Sequence, residues 1–172
     1  MHSARLFLFS LIFISLSHAA DPVEFSVGDF VFARPPSWSW ITPASPMRKA
    51  QLSVPGEEGS VPADVTFFHF GAGQGGSVQA NVDRWFKQFS NGASDSRTAR
   101  VGQTAVTFVK AEGTFSSGMP GGPTTPLKDY ALRGAILESA KGDVYVKMTG
   151  PKPVVETAEP EFEKMVRQAA SR

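Results

Sequence analysis

The stretch VTFFHFGAGQGGSVQANVDRWFKQF, Val65 to Phe89, decides how the chain folds. Gly71, Gly73 and Gly76 satisfy the spacing G-x-G-x-x-G, between a strand-like run (Val65 to Phe70) and a helix-like run that begins near Val78. In a dinucleotide-binding domain that fingerprint opens a βαβ unit, and an acidic residue about 20 positions on closes a second parallel strand. Asp95 stands at a tempting distance, but it reads as part of a turn, Asn91 to Ser96, with no apolar strand before it. The motif also follows several strands where it should begin the domain. The reading is therefore a turn from a buried strand into a helix, with a phosphate or carboxylate at the helix N-terminus as the alternative.

Along the helix-like run Val78, Val82, Trp85, Phe86 and Phe89 recur with the period of an amphipathic helix. Ser77 is placed to cap its start and Asn91-Gly92 to stop it. Successive residues step by about 100°, so Asn81, Arg84 and Gln88 form a polar stripe beside the apolar face. Gly73, Gly76, Ser77, Asn81, Arg84 and Gln88 are thus the candidate ligand-binding residues. The competing reading is structural: the same groups fix the glycine turn and cover the edge of the core.

Elsewhere the chain reads as strands. Phe25 and Val27, then Phe30 and Phe32, alternate around a Gly28-Asp29 turn, and Pro35-Pro36 stops the second run. Ala50, Leu52 and Val54 alternate, and Val65 to Phe70 is apolar on both sides, as expected of an interior strand with layers on both faces. Val101 to Phe115 reads as two short strands turning at Gly102-Gln103, and SSGMPGGPTTPLK as a loop. Tyr130 to Glu138 and Val144 to Met148 form a hairpin, followed by a last helix that carries Phe162, Met165, Val166 and Ala169. Strands, helix, strands, helix, joined by hairpins, predict an α+β domain with a largely antiparallel β-sheet flanked by helices.

The first twenty residues combine Arg5, an apolar run from Leu6 to Leu16 and the small-residue stretch Ser17 to Ala20, the pattern of a secretory signal peptide. The apolar run is shorter than the roughly 20 residues that span a bilayer. Residues 1–20 are therefore expected to be removed, leaving residues 21–172 as a single domain of the periplasm or the extracellular space. The chain has no cysteine, which excludes disulfides, a thiolate metal site and a cysteine nucleophile, and favours a bacterial envelope protein. The 17 basic residues barely outnumber the 16 acidic ones, and Arg5 leaves with the leader. Nucleic acid and anionic membranes attract cationic surfaces, so neither is expected as the main partner. No later segment is apolar enough to cross a membrane.

No catalytic constellation stands out. His69 is the one histidine beyond the leader, too little for a metal site and crowded on a strand, so no metal or cofactor is expected. Glu57-Glu58, and Glu159, Glu161 and Glu163, read as solvated surface, although two carboxylates converging in a cleft would make a small hydrolase. Trp38 and Trp40 lie on one side of an extended segment, where burial is favoured over a carbohydrate platform.

Two stretches carry a resemblance: FVFARPPSW, with Phe32, Pro35 and Trp38, and VYVKMTGPKPVVETAEPEFEKMVRQA, a strand running through Thr149-Gly150-Pro151 into a closing helix. Together they resemble the PsbP-like fold shared by the photosystem II extrinsic protein PsbP and the Ran-binding import factor Mog. The block GAGQGGSVQANVDRWFKQF also resembles secreted bacterial proteins of unknown function. The resemblance implies an α/β/α sandwich and a non-enzymatic binding or accessory role, and it supplies no catalytic residues.

Overall fold

A computed structural model describes residues 23–43, 45–117 and 125–172. Residues 1–20, expected to be a signal peptide, lie outside the described residues. The chain orders as β1 (Glu24–Val27), β2 (Phe30–Ala33), β3 (Ser39–Trp40), β4 (Arg48–Val54), β5 (Ala63–His69), α1 (Val78–Phe86), β6 (Phe89–Ser90), β7 (Ser94–Val101), β8 (Thr104–Ser117), β9 (Thr125–Leu137), β10 (Val144–Pro151) and α2 (Lys152–Ala170).

Eight strands form one antiparallel sheet in the order β3-β4-β5-β10-β9-β8-β6, with β7 also paired to β8. The outer edge of β8 is shared: β7 takes Thr104 to Ala111, and β6 takes Thr114 and Phe115. β5 is an interior strand, between β4 and β10, as its two apolar faces require. β1 and β2 form a separate two-stranded hairpin.

Each face of the sheet has its own core. On one side β1-β2 and α2 pack Phe32, Trp38, Val155, Phe162 and Val166 onto Leu52, Phe67, Val146 and Met148. Trp38 is buried, and Trp40 packs half-buried against Phe25, with ring centroids 5.3 Å apart. On the other side α1 sets Val82 and Trp85 on Val109, Leu132, Ile136 and Tyr145. The domain is therefore a helix layer, a sheet and a second helix layer, with α1 much the shorter cover.

Three readings of the sequence change. The first helix ends at Phe86 with Lys87 as its cap, not at Asn91-Gly92, because Phe89 is captured by β8. Its ring lies 5.1 Å from that of Phe115, and Ser116 N–H donates to Gln88 O at 2.8 Å. Asp95 belongs to the edge strand β7 and not to a turn. The strands that turn at Gly102-Gln103 are long, and β8 and β9 carry on into the Gly- and Pro-rich stretch as Ser116-Ser117 and Thr125 to Lys128. Pro126 is accommodated there because β10 pairs β9 only as far as Tyr130, leaving that end of β9 an edge.

Glu159, Glu161 and Glu163 lie in the middle of α2, two to three turns in, and point to different tasks. Glu159 accepts from Arg133 Nε at 2.7 Å and pairs with Lys110. Glu163 joins Arg97 at 2.7 Å and Arg167 at 3.4 Å, and both guanidinium groups lie over the Phe108 ring. Burial works to raise the Glu159 carboxyl, but the hydrogen bonds from Lys110 and Arg133 outweigh it and hold the group below its ordinary value. This contribution to stability is present above the unfolded carboxylate range and is lost as pH falls through the lowered pKa. Glu159→Ala is expected to cost about 2 kcal/mol, because it leaves the buried Arg133 guanidinium without its carboxylate. Denaturant melts at pH 7 check this, and a loss under ~0.5 kcal/mol would show that water serves Arg133 equally well.

Candidate functional site

The glycine stretch leaves β5 at His69 and enters α1 through a turn in which Gly71, Gly73, Gly75 and Gly76 all have positive φ. L-residues avoid that region, so the glycines are needed for the turn itself. Ser77 caps α1, its Oγ accepting from Ala80 N–H at 3.2 Å. Asn81 is buried, and its Nδ2 donates to Gly75 O and Ser77 O, both at 2.9 Å. Its Oδ1 accepts from Arg84 Nη2. A Cβ on Gly75 would lie 2.6 Å from Tyr145 Oη. Asn81 thus holds the turn from inside, while Gly73, Gly76 and Ser77 are exposed.

Because the sheet is antiparallel throughout, the turn opens no βαβ unit, and Asp95 is on a different strand edge. The fingerprint spacing is present without the architecture that gives it meaning.

Arg84 stays exposed beside Asn81, whereas Gln88 meets the sheet. Gln88 Oε1 accepts from Lys147 Nζ at 2.6 Å, and that ammonium lies 5.3 Å from the centre of the Phe115 ring. Burial first, then the charges of Arg84 and Arg48, pull the Lys147 ammonium down to about 8. Arg48 donates to Gln51 Oε1 at 2.9 Å, and Gln51 Nε2 to Asp64 Oδ1 at 3.3 Å. Arg48, Gln51, Asp64, Thr66 and Lys147 come from β4, β5 and β10, and none was evident in the sequence as a site residue.

A second feature lies on the other face. The β4-β5 connection and the start of α2 enclose a cleft of about 690 Å³. Buried Trp38, Val54, Val154 and Ala158 form its apolar base. Exposed Glu57, Ser60, Thr157 and Glu161 stand around it, and Ser37 Oγ donates to Glu161 Oε2 at 3.4 Å. One carboxylate from each of the two acidic groups of the sequence thus reaches the same cleft. His69 lies elsewhere, with Nε2 3.3 Å from Lys141 O. Among the described residues no three His, Asp or Glu side chains gather to hold a metal ion, and no helix is long and apolar enough to cross a membrane.

Solved structures share this architecture. The solution structure of cyanobacterial PsbP from Synechocystis superposes with a TM-score of 0.55 at 9% identity, covering 91% of this chain and 95% of that one. The fold is PsbP-like. A Pseudomonas aeruginosa protein of unknown function, proposed as a regulator, superposes on the PsbP-like domain with a TM-score of 0.50 at 13% identity, covering 84% and 92% of the two chains. No family model and no curated protein matches the sequence. At these identities the two chains share an architecture with the PsbP-like domain and no more than that.

Proposed function

We propose that this PsbP-like domain is a non-enzymatic binding or accessory protein of the periplasm or extracellular space, and that it takes its partner at the cleft between α2 and the β4-β5 connection. The cleft is the observation that carries the reading. An apolar base with a few polar groups around it is the usual form of a recognition site. Its lining has two exposed carboxylates and three hydroxyls but no histidine, lysine or arginine to activate a nucleophile. Export rests on the leader-like first twenty residues.

One observation favours a second reading, a small carboxylate-dependent hydrolase: Glu57 and Glu161 line the same cleft. One experiment separates the two. The absence of cysteine allows a single photo-cross-linker at Thr157→Cys or, as a control on the far edge, at Arg100→Cys. The binding reading expects a discrete adduct from the source organism's cell envelope with the first and none with the second. It also expects no turnover of nitrophenyl ester or glycoside substrates. Turnover that falls at least ~100-fold in Glu57→Gln/Glu161→Gln would replace it with the hydrolase.

A further inference from the structure

We infer that the α1 side of the sheet carries a second, separate site, for an oxyanion of the phosphate or dicarboxylate class, built from Arg48, Arg84 and Lys147. The site lies on the opposite face of the sheet from the cleft and does not depend on it.

The register brings its parts together. Gln51 is opposite Thr66, and Thr66 is opposite Lys147, so the three cross β4, β5 and β10 in one row, with Arg48 opposite Phe68 in a neighbouring row. Strands about 4.8 Å apart put Gln51 and Lys147 some 10 Å from each other, a span that three long cationic side chains can close around a small anion. Arg84, on α1, is near enough for its charge to act on Lys147, and it and Arg48 are exposed while Gln51 and Thr66 beneath them are buried.

The charges do not balance. Arg48, Arg84 and Lys147 take part in no salt bridge among the described residues; their partners are the neutral oxygens of Gln51, Asn81 and Gln88. Of the side chains that β4, β5 and β10 present to this face, Asp64 is the sole carboxylate, and it is engaged by the Gln51 amide. Asp143, whose charge acts on Tyr145 as that of Arg84 does, accepts from Ser139 N–H, so three cations face two carboxylates that are already engaged, and the excess of positive charge suits an oxyanion. Two of the three are guanidinium groups, whose planar donor forks suit carboxylate and phosphate oxygens.

The groups are also held in place. Gln88 and the Phe115 ring fix the Lys147 ammonium, and Gln51 and Asn81 orient the two guanidinium groups. Two residues along β10 on the same face, Thr149 Oγ1 is buried without a hydrogen-bond partner among the described residues. Keeping three like charges together costs free energy in the empty site, and a bound anion relieves that cost. Burial is the main reason the Lys147 ammonium is pulled down, and the charges of Arg84 and then Arg48 add to it, which places both guanidinium groups within electrostatic reach.

The test is a titration of the full-length protein with inorganic phosphate and, separately, succinate at pH 7, at constant ionic strength set with sodium chloride and followed by amide NMR. Saturable shifts confined to β4, β5, β10 and α1 are expected with at least one of the two. Lys147→Met and Arg48→Gln should each weaken binding at least tenfold, and Arg100→Gln, an exposed cation on the far edge, should leave it unchanged. Phosphate should raise the melting temperature of the wild type and not that of Lys147→Met, whose own melt confirms that it folds. Shifts that scatter over the surface, or that persist unchanged in Lys147→Met and Arg48→Gln, would overturn the site, as would no shift with either anion at 50 mM, a concentration chosen on the order of weak-site dissociation constants.

Discussion

Lys147→Met is expected to make the protein more stable at pH 7 and to lose that advantage by about pH 10.5. The ammonium is held near 8 in the fold against 10.5 in a free lysine, so between those values the unfolded chain binds more protons than the native one. Wild-type stability therefore rises with pH across that window, and the full penalty is present below it. A displacement of this size corresponds to an upper limit on the order of 3 kcal/mol. Losing the hydrogen bond to Gln88 takes back about 1 kcal/mol. The net gain at pH 7 should be about 1–2 kcal/mol, read from urea unfolding of both proteins at pH 7 and pH 10.5. A variant less stable than wild type at pH 7, or a difference that does not change with pH, would mean that the ammonium is well solvated in place. Stability gained together with loss of phosphate binding is the signature of a group retained for recognition.

Gly134→Ala should be strongly destabilising for so small a change. Gly134 lies in β9 opposite Lys147 and under α1, where a Cβ would sit 2.8 Å from Trp85 Cε3 and closer still to Cζ3. The indole rests on the bare backbone of the strand, and it is the largest side chain in the α1 core. Adding one methyl group must either push α1 off the sheet or force Trp85 out of its rotamer. Overpacking of this kind costs roughly 1–3 kcal/mol, and the upper end or beyond is expected because backbone faces ring with no slack between them. Thermal unfolding gives the magnitude. The double variant Gly134→Ala/Trp85→Leu should recover part of the loss, since leucine leaves room for the new methyl. If it is less stable than Gly134→Ala alone, the contact with Trp85 is not the cause.

The sequence carries the layers of this fold more openly than its site. Alternation in Phe25 to Phe32, Ala50 to Val54 and Val144 to Met148 marks strands, and Phe162, Met165, Val166 and Ala169 mark the core side of α2, because those positions are chosen by burial. The end of α1 is less legible: Phe89 keeps the helical spacing yet belongs to β6, and only its partner Phe115, far along the chain, decides the matter. The site is the least legible of all. Lys147 reads as a polar residue on a strand, Arg48 as part of a loop, and 98 residues separate them. What joins them is the pairing of β4 with β5 and of β5 with β10, and register is a property of strands in contact that no local pattern specifies across such distances. Glu57 and Glu161 line one cleft through an equally distant packing, that of α2 against the β4-β5 connection. Arg84 and Gln88 were visible as a stripe on a helix, though nothing local told that Gln88 meets Lys147.

The strand order bears on how the protein comes to be folded at all. β10 is the seam between two halves of the sheet, β3-β4-β5 on one side and β9-β8 with β6 and β7 on the other, and α2 follows it to roof the larger core. Both elements come after all the rest in the chain. Until residues 144–170 are present, the halves have no common strand and the aromatic cluster of β1, β2 and β5 has no cover. Closure at the end, through contacts between distant parts of the chain, makes folding slow. A polypeptide that stays open until its final segment arrives remains threadable through a narrow pore, as the export proposed above would require.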